Sequence, residues 1–180
     1  MCDQSKPSVP AELRAGNVAP FDSVQLLGRL DALDITHRTL SHAPVFTVDE
    51  ARTLRGDLPG AHSKNLFLRD KKGSMWLLCC LADTKIDLRQ TATVLGARSL
   101  SFASRERLWR ILGVTPGAVT PFAVINDREA AVRVVLDRRL LSYDLLNFHP
   151  LDNAQTTSLA PDDLLRFLRS EDHDPELIDF

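Results

Sequence analysis

Three short polar segments interrupt a chain that is otherwise rich in apolar residues, and each could supply part of a catalytic site. Ser63-Lys64-Asn65 places a cation and an amide at the start of an apolar, strand-like run. The run from Gly113 to Pro121 holds two glycines and two prolines, too many for a helix or a central strand, and is predicted to be a loop. His149 precedes Pro150, which keeps residue 149 extended and fixes the direction of its ring.

The chemistry that these residue types favour is electrostatic. Glycines leave backbone N–H groups unshielded and prolines hold a loop rigid, which suits the binding of an oxyanion or a carboxyl group. Lys64 is protonated at pH 7 and suits charge stabilisation better than proton abstraction. His149 could orient a hydroxyl group or a water. Each segment also has an ordinary interpretation: a solvated strand-end lysine, a plain connector and a hydrogen-bonded structural histidine.

Familiar catalytic signatures are missing from the sequence. It contains no GxSxG, HExxH or GxGxxG motif and no P-loop. The three cysteines lack CxxC spacing, and Cys79 and Cys80 are adjacent in a strand-like run, so they should point to opposite faces. We therefore expect no metal site and no cofactor, and a reducing cytoplasm as the compartment.

Charge is unevenly distributed along the chain. Residues 64–110 carry ten cations and four anions, whereas residues 141–180 carry two cations and nine anions. Such polarity favours one face that binds a polyanion, although an ordinary solvated surface would show the same pattern.

The elements that must position these segments alternate irregularly, which favours an α+β fold over a doubly wound sheet. Asn65–Arg69 and Met75–Leu81 flank an Asp70-Lys-Lys-Gly73 turn and predict a hairpin. The other predicted strands are Thr36–Leu40, Ser99–Ala103, Phe122–Ile125, Val132–Leu136, Leu145–Phe148 and Asn153–Thr157, the last two paired. The predicted helices are Phe21–Leu33, Thr47–Gly56, Asp87–Leu95, Arg105–Leu112 and one that opens at Pro161.

The domain organisation follows from length and local composition. A chain of 180 residues suits one compact domain. Residues 1–20 are predicted to be a flexible arm, residues 21–170 the domain, and residues 171–180 an acidic tail. No apolar run has the length of about 20 residues that crosses a membrane, and the N-terminus has no signal-peptide core.

Taken together, the three polar segments resemble a known family. The motifs Lys64-Asn65-Leu66-Phe67-Leu68, Gly113-x-x-Pro-Gly117-x-x-x-Pro121 and Phe148-His149-Pro150-Leu151-x-Asn153 are similar to those of the YbaK/ProX-type editing domains, and most of all to the PrdX or ProXp-ala-like branch. The resemblance runs from about Phe21 to Leu168. It implies one domain with a mixed, mostly antiparallel curved sheet, a pseudo-barrel of about seven strands surrounded by helices.

The resemblance also implies an activity, the hydrolysis of alanine from mischarged tRNA(Pro), without a metal or cofactor. In this interpretation Lys64 positions the 3′ end, and backbone amides of the Gly117–Pro121 loop stabilise the developing charge on the carbonyl oxygen. Water attacks with the help of a substrate hydroxyl. The implied catalytic residues are Lys64, Gly117, Thr120, Pro121 and His149. The implied substrate-binding residues are Asn65, Pro116, Phe122, Asn153 and Thr156.

The basic segment gains a partner in this interpretation, the acceptor stem and 3′ CCA end of the tRNA. The candidate tRNA-binding cations are Lys71, Lys72, Lys85, Arg98 and Arg105. Prolyl-tRNA synthetase is a second candidate partner, and no membrane contact is expected.

Two alternatives remain open from the sequence: a deacylase of tRNA that carries cysteine, serine or another wrong amino acid, and a module that binds tRNA or a synthetase without catalysis. The catalytic interpretations share one geometric expectation. Lys64 and the amides of residues 117–121 should converge on one small cavity.

Overall fold

The computed structural model describes residues 19–42 and 58–180, and within them eight strands form one mixed sheet. The strands are β1 (His37–Ser41), β2 (Ala61–Arg69), β3 (Met75–Leu81), β4 (Ser101–Phe102), β5 (Val132–Asp137), β6 (Leu146–Phe148), β7 (Gln155–Leu159) and β8 (Glu176–Ile178). The α-helices are α1 (Ser23–Ala32), α2 (Leu88–Val94), α3 (Arg105–Leu112) and α4 (Pro161–Ser170). Two 3₁₀ helices span Pro121–Asn126 and Arg138–Ser142.

The sheet has the order β1-β7-β6-β2-β3-β5-β8, with β4 paired to β2 beside this path. The pairs β1–β7, β6–β7, β2–β3 and β2–β4 are antiparallel. The pairs β2–β6, β3–β5 and β5–β8 are parallel. The predicted fold class, an α+β domain with a mixed and mostly antiparallel sheet, is confirmed, with eight strands rather than about seven.

The β2–β3 hairpin is the centre of this sheet, as the sequence predicts. The Asp70 backbone N–H donates to the Ser74 carbonyl, and the Asp70 carboxylate accepts from the Ser74 N–H, which closes the turn. Apolar clusters cover both faces of the hairpin: Phe67 and Leu77 face the main core with α1 and α4, and Leu68 and Leu78 face a second, smaller core. Burial on both faces explains the continuous apolar run of β3.

One predicted strand is wrong. Phe122–Ile125 lies within the 3₁₀ helix Pro121–Asn126. Thr120 accepts from the Phe122 backbone N–H and starts the turn, and Pro121 has no N–H to donate to a sheet. The segment is fully apolar because it is buried in the core, and burial alone does not distinguish a short helix from a strand. The predicted helix Thr47–Gly56 lies outside the described residues, as does most of the predicted arm at residues 1–20.

The acidic segment 171–180 is part of the sheet, which its composition did not indicate. β8 pairs in parallel with β5, and Arg133 and Glu176 form an ion pair between these two strands. His173 is buried and anchors the segment: its Nε2 lies 3.1 Å from Asp127 Oδ2, and its Nδ1 donates to the Glu171 carbonyl. Since both ring nitrogens face acceptors, this environment favours the protonated ring.

The His173–Asp127 pair should make stability depend on pH. Burial lowers the pKa of His173, but the hydrogen bond to Asp127 and the one to the Glu171 carbonyl outweigh burial and raise it. A raised pKa contributes stability below the ordinary value of about 6.5, and this contribution is lost as the pH rises through the folded-state pKa. We expect the free energy of unfolding, measured in urea, to fall as the pH rises from about 6.5 through the folded-state pKa, and to level off above it. His173→Gln and Asp127→Asn should each remove the fall, and a wild-type stability that does not fall over this range would contradict the pair's role.

Gly113 ends α3 with a φ of 64° and joins the helix to the loop that runs on to Pro121. A Cβ at this position would lie 2.5 Å from Pro20 Cβ and 2.6 Å from Asn126 Nδ2. Gly96 has a φ of 65° and nothing within 4 Å of the same position, so it is a matched control. We expect Gly96→Ala to lower the free energy of unfolding by about 1 kcal/mol and Gly113→Ala by about 3 kcal/mol. Equal losses in urea unfolding would show that the close approach is unimportant.

Candidate functional site

The site lies where one edge of β2 has no strand partner. Along that edge β2 pairs with β6 at Ala61 and His62 and with β4 at Leu68 and Arg69. Within the described residues, positions 63–66 pair only with β3, on the other edge. We call this stretch the sheet opening. It holds the Lys64-Asn65 motif that the sequence singles out.

Asn65 joins the sheet opening to the glycine- and proline-rich loop. Its Nδ2 donates to the Val119 carbonyl at 3.0 Å and lies 3.4 Å from Ser63 Oγ. Its Oδ1 is buried and has no hydrogen-bond partner among the described residues. Buried acceptors without a partner are uncommon in stable structures and recur at functional sites. The predicted meeting of the Lys64-Asn65 segment with the loop therefore occurs through Asn65.

The loop exposes its central turn, residues 115–117, and turns its second half to the core. Pro116 and Gly117 are exposed, and Gly117 has a φ of 92° that requires glycine. Thr120, Pro121 and Phe122 are buried. Thr120 caps the 3₁₀ helix, and the Phe122 ring packs edge-on against Phe148 and Phe167, so these residues hold the loop in place from within the core.

Asn153 lies beside the loop, and His149 directly follows β6 on the same segment of the chain. The Nδ2 of Asn153 lies 3.8 Å from the point that a Cβ on Gly117 would occupy, an ordinary van der Waals distance that places this amide next to the Gly117 turn. His149 is half-buried, and its Nδ1 lies 2.8 Å from the Gln155 carbonyl. A carbonyl only accepts, so Nδ1 carries the proton and Nε2 of the neutral ring is an acceptor.

The environment of His149 keeps its ring neutral. Burial is the largest influence and lowers its pKa, and the neighbouring His42 ring, with its centroid 6.2 Å away, lowers it further. The hydrogen bond to Gln155 opposes these effects without overcoming them. Thr156 is buried on β7, and its Oγ1 lies 2.9 Å from His42 Nε2. Because the His42 ring lies beside the His149 ring, it connects Thr156 with His149.

Lys64 departs from the expected geometry. Neighbouring residues of a strand point to opposite faces, so Lys64 lies on the face away from Asn65 and opposite Cys80 in the hairpin. Its Nζ donates to the Thr84 carbonyl. The expectation that Lys64 and the loop amides fill one small cavity is therefore not met in this structure: Asn65 reaches the loop, and Lys64 lies on the other face.

The polar cluster around Lys64 was missed by sequence reasoning. Thr84, Asp137 and Arg139 meet there, with Asp137 fully buried at the end of β5. Burial raises the pKa of Asp137, but hydrogen bonds from Arg139 outweigh burial and lower it. An aspartate at the end of an apolar strand was the available signal, since such a carboxylate is buried only when it is paired.

The two buried cysteines are adjacent but face opposite sides, as predicted. Cys79 belongs to the main core, and Cys80 lies across from Lys64. Burial raises the pKa of Cys79 well above its usual range, and burial, partly offset by Lys64, raises the pKa of Cys80 to about 11. Both are thiols rather than thiolates at neutral pH.

Comparisons with known proteins identify the family of this chain. The aminoacyl-tRNA editing domain family matches residues 42–167. The prolyl-tRNA editing protein ProX of Acetoanaerobium sticklandii is 38% identical over 146 residues, which cover 81% of this chain and 89% of that protein. This chain belongs to the aminoacyl-tRNA editing domain family.

Further relatives support the assignment of this editing domain to the ProX type. The prolyl-tRNA synthetase associated domain-containing protein 1 of Bos taurus is 40% identical over 175 residues, covering 94% of this chain and 96% of that protein. A candidate trans-editing enzyme for prolyl-tRNA synthetase has the same fold, with a TM-score of 0.67, 21% identity and coverage of 87% and 93% of the two chains. The predicted YbaK/ProX-type resemblance is confirmed.

The predicted tRNA-binding cations of this editing domain are all exposed. Lys71 and Lys72 occupy the β2–β3 turn, and Arg98 and Arg105 flank β4, which pairs with the same end of β2. Phe102 of β4 is 61% exposed among these cations, an aromatic side chain that sequence reasoning missed. Lys85 is exposed beside Thr84, nearer the Lys64 cluster than the turn.

The described residues contain neither a metal-binding cluster nor a membrane-spanning helix. Among residues 19–42 and 58–180, no group of three or more His, Cys, Asp or Glu side chains is arranged to hold a metal ion. No helix in the same residues has the length and apolarity needed to cross a bilayer.

The tautomer and pKa of His149 can be measured directly. We expect NMR titration of histidine ring signals to give His149 a pKa below 6.5 and the Nδ1-protonated tautomer at neutral pH. His42→Phe removes one charge that lowers the pKa of His149, so the value should rise toward 6.5 in that variant. A wild-type pKa above 6.5, or the Nε2-protonated tautomer, would contradict this assignment.

Proposed function

We propose that this chain is a trans-editing deacylase that hydrolyses alanine from mischarged tRNA(Pro). The observation that carries the proposal is the hydrogen bond from Asn65 to the Val119 carbonyl. It fixes the exposed Gly117 turn beside the sheet opening, with Asn153 next to it. A flexible 3′ end of RNA could enter there and place its ester between the loop and the segment that holds His149 and Asn153.

The proposed chemistry is water attack on the ester carbonyl. Negative charge develops on the carbonyl oxygen, and backbone N–H groups near Gly117 stabilise it, with one such donor typically contributing about 3 kcal/mol. The C–O bond to the ribose then breaks, and the proton lost by water ends on the ribose oxygen, which leaves free alanine and intact tRNA. A neighbouring ribose hydroxyl assists the water, and His149 Nε2 orients that hydroxyl as an acceptor.

The other predicted residues take supporting roles in this proposal. Thr120, Pro121 and Phe122 set the loop from the core, whereas Pro116, Asn153 and Thr156 shape the wall around the aminoacyl group. Lys64 holds the RNA electrostatically from the opposite side of the sheet opening. No step needs a metal, a cofactor or a nucleophilic side chain.

Alanine is the proposed amino acid because it is the error that a proline site cannot reject well. The aminoacylation pocket of a synthetase disfavours a smaller amino acid by only about 1–3 kcal/mol for each missing methylene, so the smaller substrate still binds there. A second site that admits only small residues then removes the error. This reasoning supports an editing partner for prolyl-tRNA synthetase in the compartment where tRNA is charged, the cytoplasm.

The basic surface supports tRNA as the partner. Exposed cations at the turn and around β4 suit phosphate contacts, and the exposed Phe102 ring among them suits stacking on an unpaired base. These contacts lie at the turn end of β2, just beyond the sheet opening. The acceptor stem would follow the cations while its 3′ end reaches the opening.

The test is a deacylation panel on alanyl-, cysteinyl-, seryl- and prolyl-tRNA(Pro). We expect rapid loss of alanine alone. Asn65→Ala releases the loop, and a displacement of about 1 Å at a catalytic group can cost about 100-fold in kcat/KM. Lys64→Ala should lower kcat/KM by about tenfold or more, the effect of losing one charge-assisted contact.

The control for this panel is Gln90→Ala, which removes an exposed amide on α2 and should leave the rate unchanged. Faster release of cysteine or serine than of alanine would identify the alternative substrate. Decay at the same rate with and without protein, together with tight tRNA binding, would identify a binding module and overturn the proposed hydrolysis.

A further inference from the structure

Two cations meet on a single threonine on the face of β2 that is turned away from the loop. Lys64 Nζ donates to the Thr84 carbonyl, and Arg139 Nη2 donates to Thr84 Oγ1 at 2.8 Å. Two cations on the same residue are stabilised by an anion beside them. The structure supplies one such anion, Asp137, and it contacts only one of the two cations.

Asp137 clamps the Arg139 guanidinium in a fixed orientation. Arg139 Nε lies 3.0 Å from Asp137 Oδ1, and Arg139 Nη2 lies 2.6 Å from Asp137 Oδ2. The Arg139 backbone N–H also donates to Oδ1 at 3.0 Å. Asp137 is fully buried, whereas 47% of the Arg139 side chain is exposed. The carboxylate is therefore inaccessible to a ligand, and the remaining guanidinium N–H groups stay available to one.

The local charge favours an anion. Lys64, Arg139 and the neighbouring Lys85 are cationic, against the buried Asp137 and the exposed Asp83. Cys80, the other ionisable group facing Lys64, is a neutral thiol. The surplus positive charge points outwards, because the paired carboxylate is the buried member of the cluster.

We propose that Arg139 and Lys64 form a two-cation site for one phosphate group at the 3′ end of the RNA, with Asp137 as the residue that positions Arg139. The inference rests on the proposed function for the identity of the RNA. A planar guanidinium and an ammonium at one point match the several oxygens of a phosphodiester. Lys64 and Asn65 are consecutive at the sheet opening, so a phosphate held on one face lies one residue away from the ester site on the other.

The proposal gives Arg139 a role that its neighbour Arg138 does not share. Arg138 is 55% exposed, and it donates to the Leu177 carbonyl at 3.2 Å and pairs with Asp179 at 3.3 Å, away from Thr84. The two arginines therefore provide a matched comparison. They have the same side chain, adjacent positions and similar exposure, but only one belongs to the two-cation site.

The test measures binding of uncharged tRNA(Pro), intact and lacking its 3′-terminal CCA, over a range of salt concentrations. Arg139→Gln should weaken binding of intact tRNA about tenfold, the effect of one charge-assisted hydrogen bond. It should also flatten the slope of log affinity against log salt by about 0.7, the value for one phosphate of a single strand. Binding of the truncated tRNA should not change. Arg138→Gln should behave as the wild type with both RNAs.

A second variant removes the concern that Arg139→Gln leaves a buried charge without its partner. Asp137→Asn with Arg139→Gln replaces the ion pair by two amides and leaves the net charge of the chain unchanged. This double variant should bind intact tRNA as weakly as Arg139→Gln does, and its affinity should show the same reduced dependence on salt. Wild-type binding by this double variant, equal losses in Arg138→Gln and Arg139→Gln, or an equal loss with the truncated tRNA would each overturn the proposal.

These measurements separate the phosphate site from the proposed hydrolysis, since uncharged tRNA carries no ester. If no aminoacyl-tRNA is hydrolysed but Arg139→Gln still loses its preference for the intact 3′ end, the two-cation site stands and the deacylase proposal fails. If alanine is released and Arg139→Gln binds as the wild type, the reverse holds. In an active protein, Arg139→Gln should raise KM about tenfold and leave kcat close to the wild-type value.

Discussion

Alternation of side chains along β2 is the constraint on which the site depends. Asn65 and Lys64 are consecutive, so a strand must send one to each face. Asn65 turns toward the main core and holds the loop through the Val119 carbonyl, while Lys64 turns toward Thr84 and the buried Asp137. Had the pairing of β2 with β3 slipped by one residue, both contacts would be exchanged between the faces. The long hairpin register fixes the choice, because seven residue pairs must shift together.

The carboxylate of Asp137 is fully buried and therefore carries a large desolvation cost. An ionised side chain without exposure costs several kcal/mol unless charged and polar donors compensate it. Arg139 and Thr84 supply those donors, and the orientation of Arg139 is the benefit. The Asp137–Arg139 pair is therefore a poor argument for added stability. It is a better argument that the Arg139 guanidinium must be held in one orientation. His173 and Asp127 form a second buried pair, but both members are enclosed and their role is to fasten β8 to the sheet.

Local patterns predicted much of the fold. The hairpin, the helices α2 and α3, the helix at Pro161 and the pairing of β6 with β7 depend on neighbouring residues and were predictable. The 3₁₀ helix 121–126 was not, since a buried apolar run of this length is compatible with either structure. β8 was hidden by its acidic neighbours, whose charges are balanced by arginines far away in the sequence.

The site was predictable in its membership more than in its geometry. Motif order singled out Asn65, the loop and the segment 149–153, and the structure places Asn65 and Asn153 beside the loop. It could not reveal that Lys64 faces away from the loop, because that depends on strand direction and on Thr84, which lies in a turn. The Arg139 cluster depends on contacts between residues 55 positions apart in the chain, and no local pattern reports those.

The strand order has a consequence for biosynthesis. β1 is made early, yet its partner β7 follows 118 residues later, and the outer edge of β5 stays uncovered until residues 176–178 are made. Pairings between such distant segments slow the search for the native state. While the chain emerges from the ribosome, the apolar β2–β3 hairpin in the middle of the sheet is formed before the outer strands that cover it. We therefore expect this domain to fold more slowly than a domain of similar size whose contacts are local.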